Sequence, residues 1–174
     1  MYRRTTFTLR SIFILSAFAA LGLALLPGSI VAQQGTLKQQ LVGTWTIVSF
    51  GFTLGDGIKR QIANPKGILI FDAGGWYAHV TMRADRPKFK SASQPTTEEQ
   101  VASTANFFAA NAGTWSISEA EKILTQRYDI ALRPNNEGQD VKSSVSLVGD
   151  ELTLTGVTFG GTGARLETVY RRAR

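Results

Sequence analysis

Val141-Lys142-Ser143-Ser144-Val145-Ser146-Leu147-Val148-Gly149-Asp150-Glu151-Leu152-Thr153-Leu154-Thr155-Gly156 is the stretch that decides the fold. Two short runs able to form strands meet across Gly149-Asp150, a two-residue turn, and so read as a β-hairpin. Working outward, the same grammar repeats. Upstream lie Lys122–Leu132, Thr114–Ser118, Trp76–Arg83, Gly67–Phe71, a weak Ile58–Ile62 and Leu41–Phe50; downstream lies Ala164–Arg171. Asn64-Pro65-Lys66-Gly67, Asp72-Ala73-Gly74-Gly75, Glu119–Glu121 and Arg133–Gly138 read as turns, because Pro fixes φ and Gly accepts positive φ. Short links force antiparallel neighbours. A sheet of about eight to ten such strands loses its exposed edges by closing into a barrel, and eight strands enclose room for one small ligand. The fold class expected is therefore all-β, a closed or nearly closed antiparallel barrel.

One segment departs from this pattern. Thr96 and Glu99 form a capping box after Pro95. Val101, Ala105, Phe108 and Ala112 recur at helical spacing before Gly113. The spacing predicts one inserted amphipathic helix from about Thr97 to Asn111, lying over one barrel end by its Val101, Ala105 and Phe108 face. A polar stub, Thr36–Gln40, is expected to add one helical turn.

The 174-residue chain has no cysteine and a net charge of +6. Disulfides, thiolate metal sites and a cysteine nucleophile are excluded. Arg3, Arg4 and Arg10 precede an uncharged run from Ser11 to Leu26, then Pro27, Gly28, Ser29 and a small Ala32. This is the layout of a secretory signal peptide. Residues 1–32 are read as that signal and 33–174 as the barrel domain, exported to the periplasm or the extracellular space. After processing no membrane span is expected. The Arg3-Arg4 pair is a weak match to a twin-arginine signal, because Phe7 stands one position too late, and the sequence does not decide between Sec and twin-arginine export. Without the three leading arginines, 16 basic residues stand against 13 acidic ones. That balance argues against a nucleic-acid partner, which needs a dense basic face.

Several segments together resemble a known family. Leu41-Val42-Gly43-Thr44-Trp45 is similar to the Gly-x-Trp opening of lipocalins. Met82-Arg83-Ala84-Asp85-Arg86-Pro87-Lys88-Phe89 resembles the Arg-x-Asp-Arg-Pro segment of the bacterial and fungal lipocalin-like domain family. Gly67–Phe71, Gly74-Gly75, Ala112–Trp115 and Asp150–Leu154 follow in the same order, so the resemblance covers Leu41 to Arg171. It implies a lipocalin-like barrel. It also implies that Trp45 closes the base against a late-strand arginine, Arg171 or Arg172, by cation–π stacking. It carries over no catalytic residue. Where family members often have a histidine pair, this chain has Gln126 and Arg127.

Site chemistry is sparse. His79 is the single histidine, so a multi-histidine metal site is impossible; no metal and no cofactor is expected. Alternation puts Tyr77, His79, Thr81 and Arg83 on one face of their strand, and Trp76, Ala78, Val80 and Met82 on the other. By apolarity the second set belongs in the core; the family register turns the first set inward. In that register Tyr77, His79 and Arg83 are lumen candidates for ligand binding, with Phe71, Trp115 and Tyr128 as further aromatic lining. Arg83 would need a buried partner or an acidic ligand group. Asp85, Arg86 and Pro87 are assigned a structural role beside Trp45 and Arg171, as an ion-paired rigid turn or a polar clamp at the mouth. The Gly160–Gly163 run lacks the residues of a phosphate loop. These features describe a binding protein for a small hydrophobic or amphipathic molecule. A lumen enzyme of isomerase or cyclase type, of the kind found in secondary metabolism, and a filled barrel serving interactions are the alternatives. Ligand and oligomeric state are not written in the sequence.

Overall fold

The computed structural model describes residues 35–105, 107–158 and 164–174. The expected signal peptide and the Gly160–Gly163 run lie outside these. A short helix, α1 (Leu37–Leu41), leads into β1 (Gly43–Thr53), followed by β2 (Lys59–Gln61), β3 (Pro65–Phe71) and β4 (Trp76–Arg83). Helix α2 (Thr97–Ala105) comes next, then β5 (Phe107–Ser118) and β6 (Ile123–Ala131). A 3-10 turn (Pro134–Asn136) precedes β7 (Asp140–Val148), β8 (Glu151–Thr158) and β9 (Arg165–Arg172).

All pairings are antiparallel, in the order β2-β1-β3-β4-β5-β6-β7-β8-β9. β1 also pairs with β9, from Trp45 opposite Arg172 to Thr53 opposite Arg165. Eight strands therefore close a barrel, and β2 lies as a short flap on the end of β1. The closed all-β barrel expected from the strand spacing is what forms.

The inserted helix is shorter than its periodicity suggests. α2 ends at Ala105, and Phe108, Asn111 and Ala112 belong to β5. Residues 107–112 gain a backbone ladder with β4, and Asn111 and Ala112 pair with β6 as well. A cooperative sheet outweighs an apolar repeat that runs across the junction by coincidence. Val101 is 63% exposed, so it does not pack over the barrel end. The capping box does form: Thr96 N–H donates to Glu99 Oε2 at 3.0 Å, and Glu99 N–H to Thr96 Oγ1 at 3.3 Å. The other Glu99 oxygen accepts from Lys90 N–H at 3.0 Å and ties the preceding loop to the helix.

The core fills the base of the barrel. Leu41, Trp45, Leu69, Phe71, Trp115, Leu124 and Leu152 are almost wholly buried. α1 plugs this end through Leu41. Its first N–H groups, on Leu37 and Lys38, donate to the two carboxylate oxygens of Glu119 at 2.9 and 2.8 Å. Helix N-termini leave such donors unsatisfied, and here the β5–β6 turn supplies the acceptor.

Strand parity decides which arginine meets Trp45. Tyr170 is buried on β9, so Arg172 shares its inward face and Arg171 points out. Arg172 stacks 4.2 Å from the Trp45 ring centre, whereas Arg171 pairs with Glu151 on the surface. Gly43 makes room for this: its φ is +130°, and a Cβ there would come within 3.1 Å of Arg172 Nη1. The Gly-x-Trp spacing is thus a steric requirement of the stacked arginine.

Candidate functional site

Above the apolar base the interior becomes polar. Tyr77, His79 and Thr81 enter it from β4; Asn111 from β5; Gln126 and Tyr128 from β6; Ser143 from β7; Thr168 and Tyr170 from β9. β4 runs against simple apolar patterning, since Tyr77 and Thr81 are buried while Trp76 is 59% exposed. The inward residues follow the register implied by the lipocalin-like resemblance.

A cavity of about 40 Å³ lies in this layer, lined by His79, Gln126, Tyr128, Ser143, Thr168 and Tyr170 with leucine and valine side chains between them. Among the described residues no charged side chain lines it. His79 Nε2 sits 2.7 Å from Thr81 Oγ1 and 3.1 Å from the Tyr170 hydroxyl. Burial pushes the His79 pKa from its ordinary value near 6.5 down to about 4, so the ring is neutral at physiological pH. Burial likewise holds the hydroxyls of Tyr77, Tyr128 and Tyr170 above the usual phenol range. For Tyr77 the neighbouring Tyr128 and Asp129 add to the effect. The site is an array of neutral donors and acceptors.

Two members of the array are unsatisfied. The Tyr77 hydroxyl and Asn111 Oδ1 are buried without a hydrogen-bond partner among the described residues. Buried polar atoms in folded proteins are nearly always paired, and each orphan costs about 1–3 kcal/mol. Tyr77 packs with its ring centre 6.3 Å from that of Tyr128, and Asn111 lines a second cavity of about 40 Å³. Tyr128 lines both cavities and is the wall between them.

The remaining sequence candidates fall elsewhere. Phe71 and Trp115 pack on each other in the base, 4.7 Å between ring centres, and do not line the lumen cavity. They complete the core under it. Arg83 is not a lumen group. It ends β4 at the barrel mouth, its side chain is 41% exposed, and it forks onto Asp85 at 2.9 and 2.6 Å. A partner two residues away in water costs less than a buried guanidinium. The Arg83-Asp85 pair, with Arg86 and Pro87, shapes a larger open groove of about 570 Å³ beside Phe89. Among the described residues no cluster of three metal-ligating side chains occurs. Gln126, Ser143, Thr168 and Tyr170 were missed as lumen residues. Gln126 shares strand parity with buried Leu124 and Ser143 with buried Val145, which is the signal that could have found them; Thr168 and Tyr170 share theirs with Leu166 and the Trp45-stacking Arg172.

The model of the family described as a lipocalin-like domain matches residues 42–173. A solved lipocalin-like protein from Bacteroides uniformis is 13% identical, covers 76% of this chain and 98% of its own length, and superposes with a TM-score of 0.42. No curated protein matches. With the family pattern running through nearly the whole barrel, the chain belongs to the lipocalin-like domain family.

Proposed function

We propose that this is an exported carrier that holds one small, uncharged, hydrogen-bonding molecule in the lumen. The observation that carries this reading is the lumen cavity itself, walled by His79, Gln126, Tyr128, Ser143, Thr168 and Tyr170, all neutral donors or acceptors. An acidic guest has no cation to meet in the cavity, because Arg83 is spent on Asp85. The volume of about 40 Å³ suits a very small guest; drug-sized ligands occupy roughly 300 Å³ or more. Export rests on the basic, apolar and small-residue order of residues 1–32.

Holding is favoured over lumen catalysis. A general acid or base works best with a pKa near the operating pH. His79 lies near 4 and the tyrosines lie above their ordinary range.

Native mass spectrometry of the protein recovered from the culture medium or periplasm of its host tests the proposal. The expected spectrum contains a non-covalent neutral adduct. Ser143→Leu, which fills the cavity from β7, should abolish the adduct while leaving the near-ultraviolet circular dichroism intact. A bare protein, with Ser143→Leu more stable than the natural chain, would show a filled core instead.

A further inference from the structure

The polar interior of β4 has a counterpart on its outside. Ile70 stands opposite Ala78, Ala78 opposite Ala112, and Ala112 opposite Ile130. In the next row Ile68 stands opposite Val80, and Val80 opposite Ala110. Cross-strand partners share a face, and here it is the outer one: Ile68, Ile70, Trp76 and Ile130 are exposed. Thr44 and Thr46 of β1 extend the two rows. Not one of these positions carries a charge. The outer faces of β7 to β9 carry Lys142, Glu151, Arg165, Glu167 and Arg171 instead, so the apolar patch is confined to one side of the barrel.

The patch has relief and polarity along its length. Alanines on β4 and β5 form a trough, and the isoleucines of β3 form a ridge beside it. The outer residues of β3 read Lys66, Ile68 and Ile70, with Asp72 just past the strand end. Lys66 and Asp72 are exposed, and neither is in an ion pair among the described residues. Positive, apolar, apolar, negative is a pattern complementary to itself when two copies run antiparallel.

We propose that this face is a homodimer interface. Two copies meet about a two-fold axis that sets their β3 strands antiparallel and face to face, Ile68 of each copy meeting the partner's Ile70. Lys66 then approaches the partner's Asp72 at both ends. This is the isologous geometry of a two-fold contact, and aligned sheet faces pack in this way through interdigitating side chains. Four strands about 4.8 Å apart and six residues long give a footprint of about 400 Å² on each copy. The pair together buries about 800 Å², which is at the low end even for a transient interface. The dimer is therefore weak and forms at high protein concentration. A lipid surface fits less well, since a membrane face is ringed by cations and this one ends on Asp72.

Sedimentation velocity of the intact protein from low micromolar to near-millimolar concentration should show a monomer–dimer equilibrium. Trp76 should shift to the blue as the dimer forms, because Trp45 and Trp115 are already buried. Ile70→Lys, an outer-face change that leaves the core alone, should weaken dimerisation about tenfold or more by burying an unpaired charge. Lys66→Glu and Asp72→Lys should each weaken self-association, and mixing these two variants should restore a heterodimer with two matched pairs. A monomer at every concentration, a dimer indifferent to Ile70→Lys, or no preferential heterodimer on mixing would each overturn the proposal. So would a monomer that binds phosphatidylcholine vesicles through Ile70, which would make the patch a lipid contact.

Discussion

Arg172 lays its guanidinium 4.2 Å from the centre of the Trp45 ring, and the same group donates to the carbonyls of Val42 at 3.1 Å and Gln40 at 2.5 Å. One side chain thus joins the last strand, the first strand and the end of α1. It combines ring stacking with charge-assisted hydrogen bonds to carbonyls that lack helical partners.

Arg172→Leu should therefore destabilise the barrel by about 3 kcal/mol, less than a fully desolvated cation–π contact and two charged hydrogen bonds would sum to, because the side chain is 31% exposed. Arg171→Leu should cost under about 0.5 kcal/mol, because its ion pair with Glu151 is exposed. Urea unfolding of the two variants checks this, and equal losses would contradict the assignment of Arg172 over Arg171.

Stability should fall as the medium is acidified from pH 6.5 toward 4. The folded protein holds His79 near pKa 4 by burial, while the unfolded chain titrates near 6.5. Between these values the unfolded state binds more protons, so protonation favours unfolding. The contribution is complete above pH 6.5 and is lost progressively down to pH 4, amounting to about 3 kcal/mol. Thermal melts of the natural chain and His79→Gln across that range should differ in slope. A natural chain with the same pH dependence as the variant would place His79 in contact with bulk water.

Glu119→Ala should loosen the base. It removes the acceptor for the Leu37 and Lys38 N–H groups and costs about 1 kcal/mol, the usual value of a helix N-terminal cap. Hydrogen exchange should rise at those two amides first, with Glu119→Gln intermediate.

Removing the wall between the two cavities should create a site for an aromatic guest. Tyr128→Ala costs roughly 3–5 kcal/mol as a large-to-small change, and free phenol should bind the space it leaves and recover part of that stability. Calorimetric titration would detect binding to the variant and none to the natural chain. Phenol binding equally to both would mean that Tyr128 does not separate the chambers.

The barrel was legible because turn chemistry and short links are local. The hairpin through Gly149-Asp150 and the turns around Gly74 and Glu119 fix nearest-neighbour pairing without any long-range knowledge. β4 was not legible from hydrophobicity, because a polar lumen and an apolar outer patch invert the usual pattern. Only the family resemblance supplied the right face. The end of α2 was misplaced because Phe108 and Ala112 continue a helical repeat while their backbone completes a sheet. Alternation groups Arg83 with His79 and the family register turns that set inward, but neither says where a strand leaves the barrel. The Glu119 cap joins residues 82 positions apart, and no local signal announces it.

The β1–β9 seam has a consequence for how copies of this chain can meet. With the ladder running from Trp45–Arg172 to Thr53–Arg165, each of the eight barrel strands has a hydrogen-bonded neighbour on both sides among the described residues, and none is an open edge strand for templated growth. The edge left by the flap is three residues long and carries Lys59 and Arg60, a combination that discourages strand addition. Association in the native state must then proceed through side-chain faces. Growth into fibres would first require the seam to unzip, so a denaturant or temperature that opens β1 from β9 should mark the onset of cross-β aggregation.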